Sequence, residues 1–550
     1  MNIGASVESK IPQTNKNFSS YLKQHNNKSI FLNACTDFEI QLVIGSLKSS
    51  KACGPNSIPT NMLLEFSELL VTPLVSIINM SFKEGVFPSL NKKAIICPIY
   101  KKGDKKSCEN YRPISLLSNM SKIFERLMYN RLDNFLNTSD IIYKFQFGFR
   151  KGYSTTHALL SIVEEIRNSL DNRMFSCAVF IDLEKAFDTV NHKILLSKLD
   201  HYGIRGVANA WFASYLSNRT QSVCVNGVTS SPLPITCGVP QGSILGPLLF
   251  LLYINDMNLA VESSKNFHFA DDTNLLCSSR NLKTLRQNMN EDLKLLYDWL
   301  CANRLSLNVK KTEFVVFRPP RYKQGVRITL NLHHTQLFES SSLKYLGVIL
   351  DNKLNWKAHI AELSKKLSRA VDLLYKIGNF CPPSTLRTLY NSLFVSHLSY
   401  GLAVWGNADQ VDIRKIKYLQ KRAIKIIGFC LGKEYNNHLY FDLKTLKFDD
   451  QLQLQLASLM WDYDHNRLPS SLSKYFKRSN IIHNYNTRSA TKGNLYNSKF
   501  NTVKFGFKSF KHQGILILNK LKSLEKYSDI ENKPAFLKYL KSSLISEYIK

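Results

Sequence analysis

The sequence predicts an α+β fold on three observations. Cys177–Leu183 (CAVFIDL) is an almost continuous apolar run of strand length, the pattern of a central, buried strand. Phe267–Cys277 has strand character on both sides of Ala270-Asp271-Asp272-Thr273, which reads as a hairpin with acids at its turn. Beyond Trp356, the residues Ile360, Leu363, Leu367, Ala370, Leu374 and Ile377 recur every three to four positions, the spacing of an amphipathic helix.

The remaining elements follow in order. The first thirty residues are polar and rich in Asn, Lys and Ser, and residues 1–44 read as a linker remnant. Phe38 to Leu69 has a helical pattern broken at Lys51-Ala52-Cys53-Gly54-Pro55-Asn56, where Gly-Pro marks a turn. Ala94–Tyr100 is a short apolar strand. The turn Lys101-Lys102-Gly103-Asp104 and the stretch Tyr111–Leu117 follow it, the layout of a basic hairpin. Asn191–Tyr202 has helical spacing at Ile194, Leu195, Leu199 and Tyr202. Gly238–Ser243 is a turn-rich loop, and the apolar stretch Ile244–Met257 reads as a buried helix capped by Ser243. Leu343–Asp351 gives another strand and turn. Lys357, Lys365, Lys366, Arg369 and Lys376 lie mostly off the apolar stripe of the helix after Trp356. Such a face is usually just solvated, but on so basic a chain it also suits nucleic acid. Residues 451–550 carry 17 Lys/Arg against 6 Asp/Glu, with a Pro/Ser/Asn-rich stretch near 468–500. A small accessory domain or a partly disordered basic tail is expected there.

The 550 residues leave room for several subdomains, and 44% hydrophobic with 21% charged residues is ordinary for a globular protein. The charge is not ordinary: 73 Lys/Arg against 42 Asp/Glu leave +31. A surplus of this size repels itself unless a polyanion is near, and nucleic acid is the commonest. The 11 cysteines contain no CxxC pair, which argues against a zinc ribbon or knuckle. Reduced, intracellular cysteines are the expectation. The longest apolar run, within Leu245–Ile254, is too short to span a bilayer, so no membrane association is expected.

The chemistry rests on Asp271-Asp272 at a hairpin turn and Asp182 at the end of a buried strand. A carboxylate at such a strand end is costly without compensation, and adjacent acids repel. Either feature alone is more often a solvated turn or a helix cap. Together they call for divalent cations, because hard Mg²⁺ prefers a few carboxylates plus phosphate oxygens.

Phe180-Ile181-Asp182-Leu183-Glu184-Lys185-Ala186-Phe187-Asp188 resembles motif A of reverse transcriptases. Gly238-Val239-Pro240-Gln241-Gly242-Ser243-Ile244-Leu245-Gly246-Pro247 resembles motif B. Phe269-Ala270-Asp271-Asp272 resembles motif C in the form found in non-LTR (LINE-type) retrotransposons. The order A, B, C with suitable spacing is specific where a lone Asp-Asp is not. Gly54-Pro55-Asn56-Ser57-Ile58-Pro59 resembles the motif that precedes the fingers, with Asn56 and Ser57 in place of Asp-Gly. Pro98–Asp104 and Asn110–Ser115 resemble the fingers hairpin, Leu305–Phe317 resembles motif D, and Leu343–Gly347 resembles the primer-grip motif E. The likeness covers about residues 45–350, and more loosely 356–480, including Trp405-Gly406, in the manner of jockey-like elements.

The resemblance implies a right-hand polymerase fold: a palm of antiparallel sheet with helices, fingers, and a helical thumb, plus a basic C-terminal region. The divisions are 45–350 for fingers and palm (core about 79–350), 351–435 for the thumb and 436–550 for an accessory region. It also implies RNA-directed DNA synthesis with two Mg²⁺ ions, Mn²⁺ being an alternative, on an RNA template with a DNA primer or RNA–DNA hybrid and dNTPs. By this likeness Asp182 and Asp271 hold the metals, Asp272 supports them and the main-chain carbonyl of Leu183 assists. Phe187 excludes a 2′-hydroxyl. Gln241, Gly238 and Gly242 approach template and nucleotide, while Leu346 and Gly347 grip the primer. Arg112 and either Lys101 or Lys102 meet the triphosphate. Lys311, or its neighbour Lys310, protonates the leaving pyrophosphate. Such elements usually carry an upstream endonuclease. Met1 lies too close to the polymerase motifs to leave room for one, so nicking is expected to be supplied elsewhere or absent. Nucleus and cytoplasm are the implied compartments. Three rivals remain: a decayed element that only binds nucleic acid, a group II intron maturase-like protein, and an RNA-templated RNA polymerase, against which Phe187 argues.

Overall fold

The computed structural model describes residues 3–14, 16–23, 25–47, 54–55, 58–319, 322, 326–429, 437–482, 493–497, 499–524, 527 and 529–549. Strands Lys93–Tyr100 (β1) and Tyr111–Leu116 (β2) pair antiparallel from Ile95↔Leu116 to Tyr100↔Tyr111. Two residues on, Ser118 accepts the Ser121 N–H (3.0 Å) and starts helix Asn119–Thr138 (α1), which buries Ile123, Phe124, Leu127, Met128, Leu132 and Leu136. Helix Thr155–Asp171 (α2) is buried on nearly every side. Strand Phe175–Ile181 (β3) follows.

The chain then returns to the first sheet. Strand Thr220–Val225 (β4) runs parallel to β1, and the short strands Val228–Thr229 (β5) and Leu233–Pro234 (β6) pair with it. The fingers sheet is therefore built from segments on both sides of β3. Helix Gly246–Tyr253 (α3) buries every residue except the half-buried Pro247. Strands Lys265–Phe269 (β7), Asp272–Ser279 (β8) and Glu313–Phe317 (β9) complete a second, antiparallel sheet in the order β7-β8-β3-β9. Helix Leu282–Ala302 (α4) lies between β8 and β9 in sequence. Two hairpins follow: Thr329–Leu332 (β10) with Thr335–Phe338 (β11), and Ser342–Tyr345 (β12) with Val348–Asp351 (β13). Beyond them the described chain is helical, including Lys357–Ile377 (α5), Gln410–Ile427 (α6), Phe448–Asp464 (α7) and Phe510–Leu521 (α8).

The β7-β8-β3-β9 sheet separates two apolar cores. Strand side chains alternate between faces. Cys177, Val179, Ile181, Leu275, Cys277, Phe314 and Val316 enter the core shared with the fingers. Ala178, Leu276, Val315 and Phe317 enter the core shared with α2 and the thumb helices. Both faces of β3 are covered, which is why its sequence runs apolar without alternation. This is the mixed helix-and-sheet, right-hand polymerase architecture, with the four-stranded sheet as palm.

Several expectations need correction. Residues 1–44 are not a free linker: Ile30, Cys35, Ile40, Val43 and Ile44 are buried in the fingers-side core. Arg131 of α1 also donates to both Glu39 carboxylate oxygens, at 2.7 and 2.9 Å. Residues 436–550 are not set apart either: α7, α8 and helix Lys533–Ser546 bury Trp461, Leu518 and Phe536 in the same core as α2 and α5. Helix α3 is shorter than the Ile244–Met257 expected, and Leu343–Asp351 is a full hairpin. Of the turn at 51–56 only Gly54 and Pro55 lie among the described residues; Asn56 and Ser57 lie outside them. The five basic residues of α5 are exposed, and its apolar stripe is buried up to Leu374, with Ile377 half-buried.

Candidate active site

Asp182 is the first residue after β3. The register Ile181↔Thr273 sets it beside the start of β8, and Phe269↔Asp272 closes the β7–β8 hairpin over Ala270 and Asp271. Acids from two distant motifs thus share one end of one sheet. The hairpin turn is held in an unusual backbone state. Ala270 has φ 57°, and its N–H donates to Gln146 Oε1 (3.1 Å), which also accepts the Gly148 N–H (2.9 Å). A Cβ on Gly148 would lie 2.3 Å from the Ala270 nitrogen, so the site requires glycine there. Gln146 and Gly148 were missed from sequence; a buried amide serving a remote turn leaves no periodic signal.

The electrostatics are those of crowded acids. Burial pushes the Asp271 carboxyl up and Asp182 adds to this, against a backbone hydrogen bond, Arg112 and Lys101. Asp272 keeps an open outer edge. Even so, burial of its surroundings, then Asp271 and Asp182, push it up to about 6, with Lys101 opposing. Lys311 donates to Asp182 Oδ2 at 2.9 Å, with both side chains partly exposed. It is delivered by a backbone zipper in which Leu183 bridges Leu307, Asn308 N–H donates to Asp182 O (2.9 Å), and Glu184 N–H donates to Ser306 O (2.9 Å). Of the two lysines 310 and 311, it is Lys311 that meets the acid.

Arg112 is exposed on β2 opposite Ile99, and Lys101 and Lys102 are exposed at the end of β1. Lys101 is the lysine whose charge acts on both Asp271 and Asp272. Phe187 stacks on Phe250 (4.5 Å, 28°) and meets the edge of Phe149 (6.1 Å, 88°). Its carbonyl accepts the Val239 N–H at 2.9 Å, binding motif A to the loop of motif B. In that loop Gln241 Nε2 donates to both oxygens of Asp188, at 2.9 and 3.0 Å. Gly238 (φ 87°) packs where a Cβ would meet Asp188 O at 2.7 Å, and Gly242 (φ 128°) where one would meet Ser115 O at 2.5 Å. Asp188 is a partner the sequence reading did not assign. Leu346 and Gly347 form the β12–β13 tip. The Tyr400 hydroxyl donates to Leu346 O (2.6 Å), and the Tyr345 ring lies 5.2 Å from Phe180 of β3.

Oxygen donors on three acids, two of them raised by burial and then by their neighbouring carboxylates, fit hard divalent cations. Among the described residues no three acidic, His or Cys side chains already converge as a metal cage, and Asp182 is turned onto Lys311. Ions held here would complete their shells with substrate oxygens and water, as Mg²⁺ usually does. Among the described residues no helix is long and apolar enough to cross a membrane.

A sheet of this topology with acids at one end, a glycine-rich loop against motif A and a basic hairpin above defines the palm and fingers of a polymerase. Residues 99–350 match the family described as "Reverse transcriptase (RNA-dependent DNA polymerase)", so the chain carries a domain of that family, and it is similar along most of its length to polymerases of non-LTR retrotransposons. It is 30% identical over 448 residues to the RNA-directed DNA polymerase from mobile element jockey of Drosophila melanogaster, covering 79% of this chain and 48% of that protein. It is 31% identical over 435 residues to the probable RNA-directed DNA polymerase from transposon BS of the same organism, covering 75% and 47%. The Pol polyprotein from the type-1 retrotransposable element R1 of Bradysia coprophila is 26% identical over 450 residues, covering 78% and 42%. The chain thus spans about half the length of these curated relatives or less.

Proposed function

We propose that this chain is an RNA-directed DNA polymerase that extends a primer 3′-hydroxyl with dNTPs on an RNA template. The observation that carries the reading is the meeting of Asp182 with Asp271 and Asp272 at one sheet end, where burial and mutual repulsion raise the last two. The relatives' printed names point the same way. Two Mg²⁺ ions, or Mn²⁺, held by Asp182 and Asp271 with Asp272 and the Leu183 carbonyl in support, would activate the attacking hydroxyl and stabilise the leaving oxygen.

The protein's own groups do the rest. Arg112 and Lys101 lie near enough for their charges to act on Asp271 and suit the triphosphate, Arg112 through its planar fork. Lys311 neutralises Asp182 before substrate arrives and is placed to give a proton to the departing pyrophosphate. Phe187, fixed between Phe250 and Phe149, is a rigid wall against a 2′-hydroxyl. Gln241, tied to Asp188, presents the loop to template and nucleotide, and the Leu346–Gly347 tip supports the primer. Positioning of this kind supplies much of the acceleration in phosphoryl transfer. The exposed cations of α5 suit a nucleic-acid backbone.

The test is primer extension by purified protein on poly(rA)/oligo(dT). Incorporation that requires Mg²⁺ or Mn²⁺ and stops with chelator is expected. RNA binding without any incorporation would leave only the decayed-element reading.

A further inference from the structure

The loop carrying Gln241 is gripped from two sides. From motif A, Val190 O accepts the Gly238 N–H (2.8 Å), Phe187 O accepts the Val239 N–H (2.9 Å) and Asp188 holds the Gln241 amide. From the fingers, the Ser115 N–H donates to Gln241 O at 2.7 Å. These contacts fix the beginning and middle of the loop. Its far end, where Ile244 and Leu245 lead into α3, is held by a residue from another element.

That residue is Glu125 on α1, with no exposed surface. Its Oε2 accepts the Ile244 N–H (2.6 Å) and the Leu245 N–H (3.3 Å), and its Oε1 accepts the Ser121 hydroxyl (2.9 Å). Helix starts leave backbone N–H groups without intrahelical partners, and a carboxylate is a strong acceptor for them. The local Ser243 hydroxyl accepts the Gly246 N–H (2.9 Å) while donating to Pro240 O (2.9 Å), and Glu125 is the acceptor for the two N–H groups before it. Burial pushes the Glu125 carboxyl up, opposed by the charge of Arg219, also buried, and by the hydrogen bonds from Ile244, Ser121 and Leu245; Arg219 itself donates to Tyr215 O at 3.1 Å. Helix α1 begins four residues after Ser115. The fingers strand that bears Arg112 and the helix that bears Glu125 therefore form one continuous arm, touching the loop at its middle and its end.

We propose that Glu125 is a positioning residue for nucleotide binding: from the fingers it anchors the end of the 238–246 loop, so that Gln241 and the Arg112 hairpin keep one relative placement. It touches no reacting atom, and its effect passes through the loop. The inference rests on the polymerase reading for its kinetic consequence, but its structural part can be measured without activity.

The experiment compares Glu125→Ala and Glu125→Gln with the wild-type chain. Gln can still offer one oxygen to both N–H groups and its amide to Ser121, so it should restore most of the function. In the Ala variant, amide exchange of a 238–246 peptide should quicken about tenfold while β3 and β8 peptides keep their protection. The dNTP KM should rise about tenfold with a smaller change in kcat, and primer–template affinity should be unchanged. Should the Ala variant fail to fold, Glu125→Asp keeps the charge but withdraws it by one methylene, and the same local loss is expected on a smaller scale. Wild-type protection of the loop in the folded variant would overturn the proposal. So would a loss shared evenly by all peptides, or a Gln variant as impaired as Ala. A wild-type chain that extends no primer would instead sink the polymerase reading, and the exchange result would still decide whether Glu125 holds the loop.

Discussion

Two groups of acids in this protein have opposite surroundings. Inside the helical layers, Glu164 of α2 accepts the Phe510 N–H (2.8 Å) and the Lys511 N–H (3.0 Å) at the start of α8, with Arg167 at 3.7 Å. At the end of the palm sheet, Asp271 and Asp272 have one another and Asp182 as their close charged neighbours, and the cations above them are exposed. The first arrangement is complete as it stands and serves the fold. The second is left short of positive charge, so the fold tolerates it where something else is to bind. Asp271→Asn sharpens the contrast most: primer extension should fall on the order of 10³-fold or more, while the thermal midpoint holds or rises because a repulsion is removed. RNA affinity should change little. Turnover within tenfold of wild type would remove Asp271 from the reaction.

The mirror experiment is Glu164→Ala. It strips the start of α8 of its acceptor and leaves Arg167 buried beside no acid, a change that typically costs about 3–5 kcal/mol. The denaturation midpoint should drop sharply, yet activity per folded molecule should stay near wild type. A variant with normal stability would mean that this carboxylate is as dispensable to the fold as the strand-end acids are expected to be.

The same contrast explains what could be read from the sequence. Strand β3 was legible because both faces are buried, so Cys177–Ile181 is apolar throughout, and α5 was legible from its period. Asp182 and Asp271-Asp272 stood out because acids interrupt apolar strands. Glu125, Glu164 and Gln146 did not, since each satisfies backbone N–H groups from a distant segment and no local spacing records that. Residues 26–44 were hidden by their composition: scattered among Asn, Lys and Ser, the few apolar residues Ile30, Cys35 and Ile40 are nonetheless buried. The C-terminal hundred residues were hidden by charge, because their cations coat helices whose inner faces join the thumb-side core.

Phe187 belongs to both kinds of environment. It stacks on Phe250 of α3 like a core residue, yet it is only half-buried and its other ring contact is the exposed Phe149. Phe187→Val should therefore raise ribonucleotide incorporation relative to deoxyribonucleotide by about ten- to a hundredfold, with a modest loss of stability from the broken stack. Competition between rNTP and dNTP at matched concentrations reads the ratio. An unchanged ratio would make Phe187 a packing residue alone.

Acid should bear on the thumb-side core through its buried histidines. On the thumb side, His359 of α5 accepts the Ile349 N–H on Nδ1 (3.4 Å), so its buried ring must be neutral at that nitrogen. Burial holds it down to about 4, with Glu362 opposing and Lys366 and Lys344 assisting. His157 of α2 is likewise held down to about 4 by burial. An unfolded histidine titrates near 6.5. Between these values the unfolded chain binds protons that the folded one refuses, so stability is whole above about 6.5 and drains as pH falls toward 4. His359→Gln keeps an acceptor for Ile349 and removes the titration, so its thermal midpoint should fall less steeply across that window. Identical slopes for variant and wild type would show that the ring is not what makes the thumb-side core acid-sensitive.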